Sequence, residues 1–103
     1  MTDREIEQIK DVLVENISPV KVYLFGSFAN GTAREDSDYD LYIVVKDETN
    51  DLADLTAQAY KSIRPVKSRL VDVVIGTESR FESRKNRMTL ENEVWSNGVL
   101  LYG

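Results

Sequence analysis

Val22-Tyr23-Leu24-Phe25-Gly26-Ser27-Phe28-Ala29-Asn30-Gly31, followed by Ser37-Asp38-Tyr39-Asp40-Leu41, decides how this chain is read. The apolar run Val22 to Phe25 reads as a buried strand, and Phe28-Ala29-Asn30 has room only for a short helical turn before Gly31 stops it. A strand thus runs directly into a helix N-terminus. Backbone N–H groups there, with the Ser27 hydroxyl, form a cradle for a phosphate chain, and Gly26 lets that chain approach the backbone. Asp38, Asp40 and Tyr42 alternate with Tyr39, Leu41 and Ile43, the period of a strand, so both carboxylates share one face. They sit roughly 7 Å apart along the backbone, close enough for their side chains to converge on divalent cations.

A third acid, Asp72, interrupts the apolar run Leu70-Val71-Asp72-Val73-Val74-Ile75. At an effective dielectric near 20, two carboxylates about 5 Å apart repel by roughly 3 kcal/mol, so a cluster of three opposes folding unless a cation sits among them. Each feature alone has a plain structural reading. A Gly-Ser pair after a strand is usually a turn, and a lone Asp in an apolar strand often guards an edge against aggregation. Together they are harder to dismiss, since the four fixed positions match by chance in roughly one or two chains per thousand of this length.

Gly26, Ser27, Gly31, Ser37, Asp38, Asp40 and Asp72, in this order and spacing, resemble the signature of the minimal nucleotidyltransferases of the DNA polymerase beta superfamily. The likeness extends to the closing Asn97-Gly98-Val99-Leu100-Leu101-Tyr102 and so covers nearly the whole chain. The resemblance implies a polymerase-beta-like palm that moves a nucleoside monophosphate, AMP from ATP, onto a hydroxyl and releases pyrophosphate. Asp38, Asp40 and Asp72 would then be the catalytic and metal-binding residues, holding two Mg²⁺ ions. Gly26, Ser27 and Ser37 would bind the nucleotide. Proteins of this size commonly pair with HEPN-domain toxins in toxin–antitoxin modules, where the nucleotidyltransferase adds AMP to a tyrosine of the toxin and silences it. Two other readings stay open: the catalytic subunit of a small-molecule nucleotidyltransferase of the antibiotic-modifying kind, and an antitoxin that inhibits by binding alone.

Composition narrows the chemistry. At 103 residues the chain is expected to form a single nucleotidyltransferase domain, residues 1–103, with one core. It has no cysteine and no histidine, which excludes disulfides, thiolate chemistry and the commonest zinc ligand, and leaves carboxylates with a hard, oxygen-loving cation such as Mg²⁺. The charged opening and the lack of a long apolar run argue against a signal peptide or membrane span, so a cytoplasmic location is the expectation. A net charge of −5 disfavours direct nucleic-acid binding and makes a triphosphate welcome only with its metal.

The expected fold is α/β, a small mixed sheet of about four strands with helices packed mainly on one face. A first helix is read from about Asp3 to Glu15, with Thr2 and Glu5 spaced as a capping box and Ile6, Ile9, Leu13 and Ile17 on its buried face. Strands follow at Lys21–Phe25, Leu41–Val45, Leu70–Ile75 and Val99–Tyr102. A second helix over Asp51–Ile63 buries Leu52, Leu55, Ala59 and Ile63 and ends at Arg64-Pro65. A short helix is expected near Ser79–Lys85, and another over Thr89–Ser96 that buries Leu90 and Val94 with help from Trp95, capped by Gly98. Trp95 and Tyr102 read as core. Arg80, Arg84, Lys85 and Arg87 form the one dense basic cluster, which fits a solvated helix face, a triphosphate contact or an acidic partner surface. Lys61, Arg64, Lys67 and Arg69 are a looser, solvated set, from which one side chain near the third strand can reach a phosphate.

Overall fold

The computed structural model describes residues 4–103. Its elements in chain order are α1 (Arg4–Ile17), β1 (Lys21–Phe25), α2 (Ser27–Asn30), β2 (Tyr39–Val45), α3 (Leu52–Ile63), β3 (Val71–Thr77), α4 (Glu78–Arg84), α5 (Leu90–Asn97) and β4 (Val99–Tyr102). The strands form one mixed sheet in the order β3-β2-β1-β4. β1 is antiparallel to both β2 and β4, while β2 and β3 run parallel, joined through α3. The expected α/β class and four-strand mixed sheet are therefore observed. β2 begins two residues earlier than the apolar run suggested, and so takes in Asp40.

Each long helix is explained by its apolar spacing. Ile6, Ile9, Leu13 and Ile17 of α1 are buried, as are Ala59 and Ile63 of α3, with Leu52 and Leu55 packed at their margin. These stripes cover the sheet face that presents Val22, Leu24, Tyr39, Leu41, Ile43 and Val45. Asp51 caps α3 by accepting the Asp54 N–H at 2.9 Å. Thr2 lies outside the described residues, so the capping box is not described; the Glu5 carboxylate accepts the Ser68 N–H and the Tyr39 hydroxyl.

The long helices lie on one face, and the short α4 and α5 cover part of the other. There Tyr23, Tyr42, Val44, Phe81 and Val94 form a second apolar cluster. Phe81 is its centre, stacked on Tyr23 with ring centroids 5.4 Å apart and tilted against Tyr42 at the same separation. α5 turns differently from the expected face. Leu90 and Trp95 are 39% and 48% exposed, Tyr102 is 39% exposed, and Glu91 is buried beside Val94. Glu91 and Val94 are three apart and so share a helix face, which an acid can occupy only with partners.

Those partners are present. The Glu91 carboxylate accepts the Tyr42 hydroxyl at 2.7 Å and the Arg84 Nε–H at 3.0 Å, with Arg80 Nε at 3.5 Å. Burial alone would push the Glu91 carboxyl up, but the bonds from Tyr42 and Arg84 outweigh it and hold it below the ordinary carboxylate range. Of the basic cluster, Arg80 and Arg84 thus brace the second core, and Lys85 lies over the Trp95 ring at 4.0 Å. Arg87 falls beyond the end of α4 and shares no helix face with Arg84.

Glu91→Ala would leave the buried Tyr42 hydroxyl without its acceptor, an expected loss of about 1–3 kcal/mol in urea unfolding at pH 7. Because the folded-state pKa of Glu91 is depressed, its contribution is present above the ordinary carboxylate range and is lost as pH falls through it. The difference between wild type and variant should therefore shrink in acid.

Candidate active site

Parallel pairing of β2 with β3 sets Asp40 directly beside Asp72, with Leu41 beside Val73 and Tyr42 beside Val74. Residues opposite one another in a pleated sheet point to the same face, so the two carboxylates stand together. It is the same face that α4 and α5 cover further along, and the acids occupy its uncovered end. Across the other edge of β2, Asp40 pairs with Phe25, which brings Gly26 against the carboxylate.

Gly26 is the tightest constraint in the site. Its φ of 74° and ψ of −153° lie in a region that side chains avoid, and a Cβ there would come 2.3 Å from Asp40 Oδ2. α2 then forms a single turn, closed by Gly31 in the left-handed conformation with its N–H on the Ser27 carbonyl. The Ala29 and Asn30 amides are committed to the Gly26 carbonyl at 3.0 and 3.1 Å. The phosphate cradle therefore reduces to at most the Ser27 and Phe28 amides and the Ser27 hydroxyl.

Asp38 precedes β2 and ends the loop from Thr32. The Ser37 hydroxyl accepts the Arg34 N–H at 2.7 Å, and the Ser37 N–H returns to the Arg34 carbonyl at 3.0 Å, so this serine closes the turn before the first acid. Asp38 acts on Asp40 through space. Partial burial, then the Asp72 charge, then the Asp38 charge hold the Asp40 carboxyl above its ordinary range. The structure thus brings Gly26, Asp40 and Asp72 into contact or pairing and keeps Asp38 within electrostatic reach.

Among the described residues, no three acids converge closely enough to make a ready cation cage. Mg²⁺ does not require one, since it is usually held by one or two carboxylates together with water and substrate phosphates. Asp40 and Asp72, like charges side by side on one sheet face, meet that requirement. Asp38 is the nearest addition.

The loose basic set contains one side chain that sequence reasoning missed. Arg69 is not solvated: its Nη1 donates to the Glu35 carbonyl at 3.0 Å and the Ser37 carbonyl at 2.8 Å. Its guanidinium lies 4.9 Å from the Phe28 ring centroid and 5.3 Å from that of Tyr39. Arg69 Nε is buried with no acceptor among the described residues, at a cost of about 1–3 kcal/mol that the other contacts must offset. Main-chain carbonyls as partners leave no trace in a sequence. Its place just ahead of the Asp72 strand was the only signal.

The chain belongs to the nucleotidyltransferase domain family, whose model matches residues 6–96. It is similar to a solved toxin–antitoxin structure with AMP-PNP, at 27% identity and TM-score 0.65, over 98% of this chain and 74% of that one. An MntA–HpeT toxin–antitoxin structure carrying two aspartate-to-glutamate substitutions shares the fold, at 21% identity and TM-score 0.68, over the same shares of the two chains. A Sulfolobus solfataricus protein described as a candidate nucleotidyltransferase also shares it, at 22% identity and TM-score 0.55, over 94% of this chain and 76% of its own. No curated protein matches the chain significantly.

Asp40→Asn is expected to raise the melting temperature of the metal-free protein at neutral pH, read by calorimetry. The raised folded-state pKa means that the charge on Asp40 opposes folding only once pH climbs past the ordinary carboxylate range. The gain should vanish in acid. Gly26→Ala, by contrast, should destabilise at every pH by about 1–3 kcal/mol, through backbone strain and the clash with Asp40.

Proposed function

We propose that this domain is a metal-dependent nucleotidyltransferase that moves AMP from ATP to a hydroxyl of a partner protein, and that it is the antitoxin of a HEPN toxin–antitoxin module. The observation that carries the catalytic part is the Asp40–Asp72 pair against Gly26, with Asp38 alongside and Asp72 exposed on the edge strand β3. The AMP-PNP-containing toxin–antitoxin structure supports the choice of an adenine nucleotide and of a toxin as partner. A cytoplasmic location, where ATP and Mg²⁺ are plentiful, fits the same reading, and no helix among the described residues is long and apolar enough to cross a membrane.

In the proposed reaction the acceptor hydroxyl oxygen attacks the α-phosphorus in line, the bond from that phosphorus to the pyrophosphate oxygen breaks, and pyrophosphate leaves. Asp38, Asp40 and Asp72 would hold Mg²⁺. Bound there, the ion supplies charge neutralisation at the phosphates and lowers the pKa of the attacking hydroxyl. Asp72, exposed on the edge strand, would take the hydroxyl proton. Ser27 and the adjoining amides hold the terminal phosphates, while Gly26 keeps the backbone clear of Asp40. Ser37 serves the nucleotide through the turn that it closes ahead of Asp38.

The test is transfer of α-labelled ATP, with Mg²⁺, to a co-expressed HEPN protein. Label on that protein, lost in Asp38→Asn and Asp40→Asn, is the expected result. Wild-type transfer in either variant would remove the metal assignment. Label on an added small-molecule acceptor, with none on protein, would replace the partner assignment.

A further inference from the structure

We infer that Arg69 is a positioning residue for the acid site, acting as a clamp that fixes the chain on both sides of Asp38. The inference rests on the proposed nucleotidyltransferase reading. Four contacts of one guanidinium point to it. Nη1 bonds the carbonyl of Ser37, immediately before Asp38, and that of Glu35 two residues earlier. The guanidinium covers the ring of Tyr39, immediately after Asp38, and the ring of Phe28 in α2, the turn next to Ser27. Those rings meet at 4.5 Å, so the clamp, the phosphate-side turn and the flanks of Asp38 form one packed unit.

The clamp is itself anchored. Glu5 in α1 accepts the N–H of Ser68, the residue before Arg69, and also the Tyr39 hydroxyl. The Tyr39 N–H donates to the Leu70 carbonyl at 3.1 Å, so the segments leading into β2 and β3 are tied side by side. Arg69 stands three residues ahead of Asp72 and grips the residues flanking Asp38. One side chain therefore sets the relation between the acid that precedes β2 and the acid within β3. Lysine cannot reproduce all four contacts, because its compact ammonium has no planar face to lie over two rings while one nitrogen bonds two carbonyls.

Calorimetric titration of ATP at a series of Mg²⁺ concentrations, on wild type, Arg69→Lys and Arg69→Met, tests the inference, with folding of each checked by circular dichroism. Residues that orient ligands to a metal typically change its affinity 10–100-fold, so the Mg²⁺ needed for half-maximal ATP binding should rise at least about tenfold in Arg69→Met and by less in Arg69→Lys. Amide exchange supplies a readout that is independent of nucleotide. Exchange should accelerate over residues 35–39 while the β1 amides hold their protection. Wild-type Mg²⁺ dependence in a folded variant would overturn the inference, as would acceleration spread evenly over the domain, which marks general destabilisation. Should Arg69→Met fail to fold, Arg69→Lys decides by the same two criteria. A wild type that ignores Mg·ATP would remove the nucleotidyltransferase reading, and with it a role for Arg69 in that site. Unchanged exchange over residues 35–39 would remove the clamp by itself.

Discussion

The side-by-side placement of Asp40 and Asp72 is the constraint around which this domain is arranged. Parallel pairing of β2 and β3 imposes it, because the register that puts Leu41 beside Val73 in the main core puts the two acids beside each other on the opposite face. A one-residue slip of β3 would turn Asp72 toward α1 and α3 and Val73 out of the core. The apolar core thus enforces a repulsive pair that has no stabilising role in folding. On the proposed reading its counterweight is a cation accompanied by phosphates, in a chain whose net charge is −5.

What surrounds the pair is correspondingly stiff. Gly26 lies against one carboxylate in a backbone conformation that admits no side chain. On the same sheet face the Tyr42 hydroxyl, two residues past Asp40, is fixed by buried Glu91, which Arg84 and Arg80 satisfy in turn. Tyr60 closes the far edge of β3 by accepting the Val73 N–H at 2.9 Å, next to Asp72. The aromatic cluster of Tyr23, Tyr42 and Phe81 fills the covered end of the face and leaves the acids at the open end. Preorganisation of this kind matters because a charged site works only if its groups need not move when the substrate arrives.

Much of this was legible in the sequence, for identifiable reasons. Lys21–Phe25 and Val99–Tyr102 have the bounds expected of them, since Gly26 and Gly98 punctuate the apolar runs. Asp40 could be placed within a strand because strand periodicity is rigid, although Asp38 lies just ahead of β2, and the α2 turn because Gly31 could only stop it. Three features escaped. α5 was read from a Leu90–Val94 spacing, but the Glu91–Val94 spacing suits a helix equally well, and only the tertiary partners Tyr42 and Arg84 make the acid the buried member. Trp95 and Tyr102, which read as core in the sequence, are partly exposed. Arg69 was read as solvated because its partners are main-chain carbonyls and ring faces distant in sequence.

Binding of ATP measured calorimetrically, with Mg²⁺ and then with EDTA, tests the account most directly. If the paired acids exist to hold a metal–nucleotide complex, saturable heat appears with Mg²⁺ and is lost in EDTA, where the triphosphate meets the carboxylates unshielded. Equal affinity under the two conditions would contradict it, for a site of three acids cannot take up a bare polyanion.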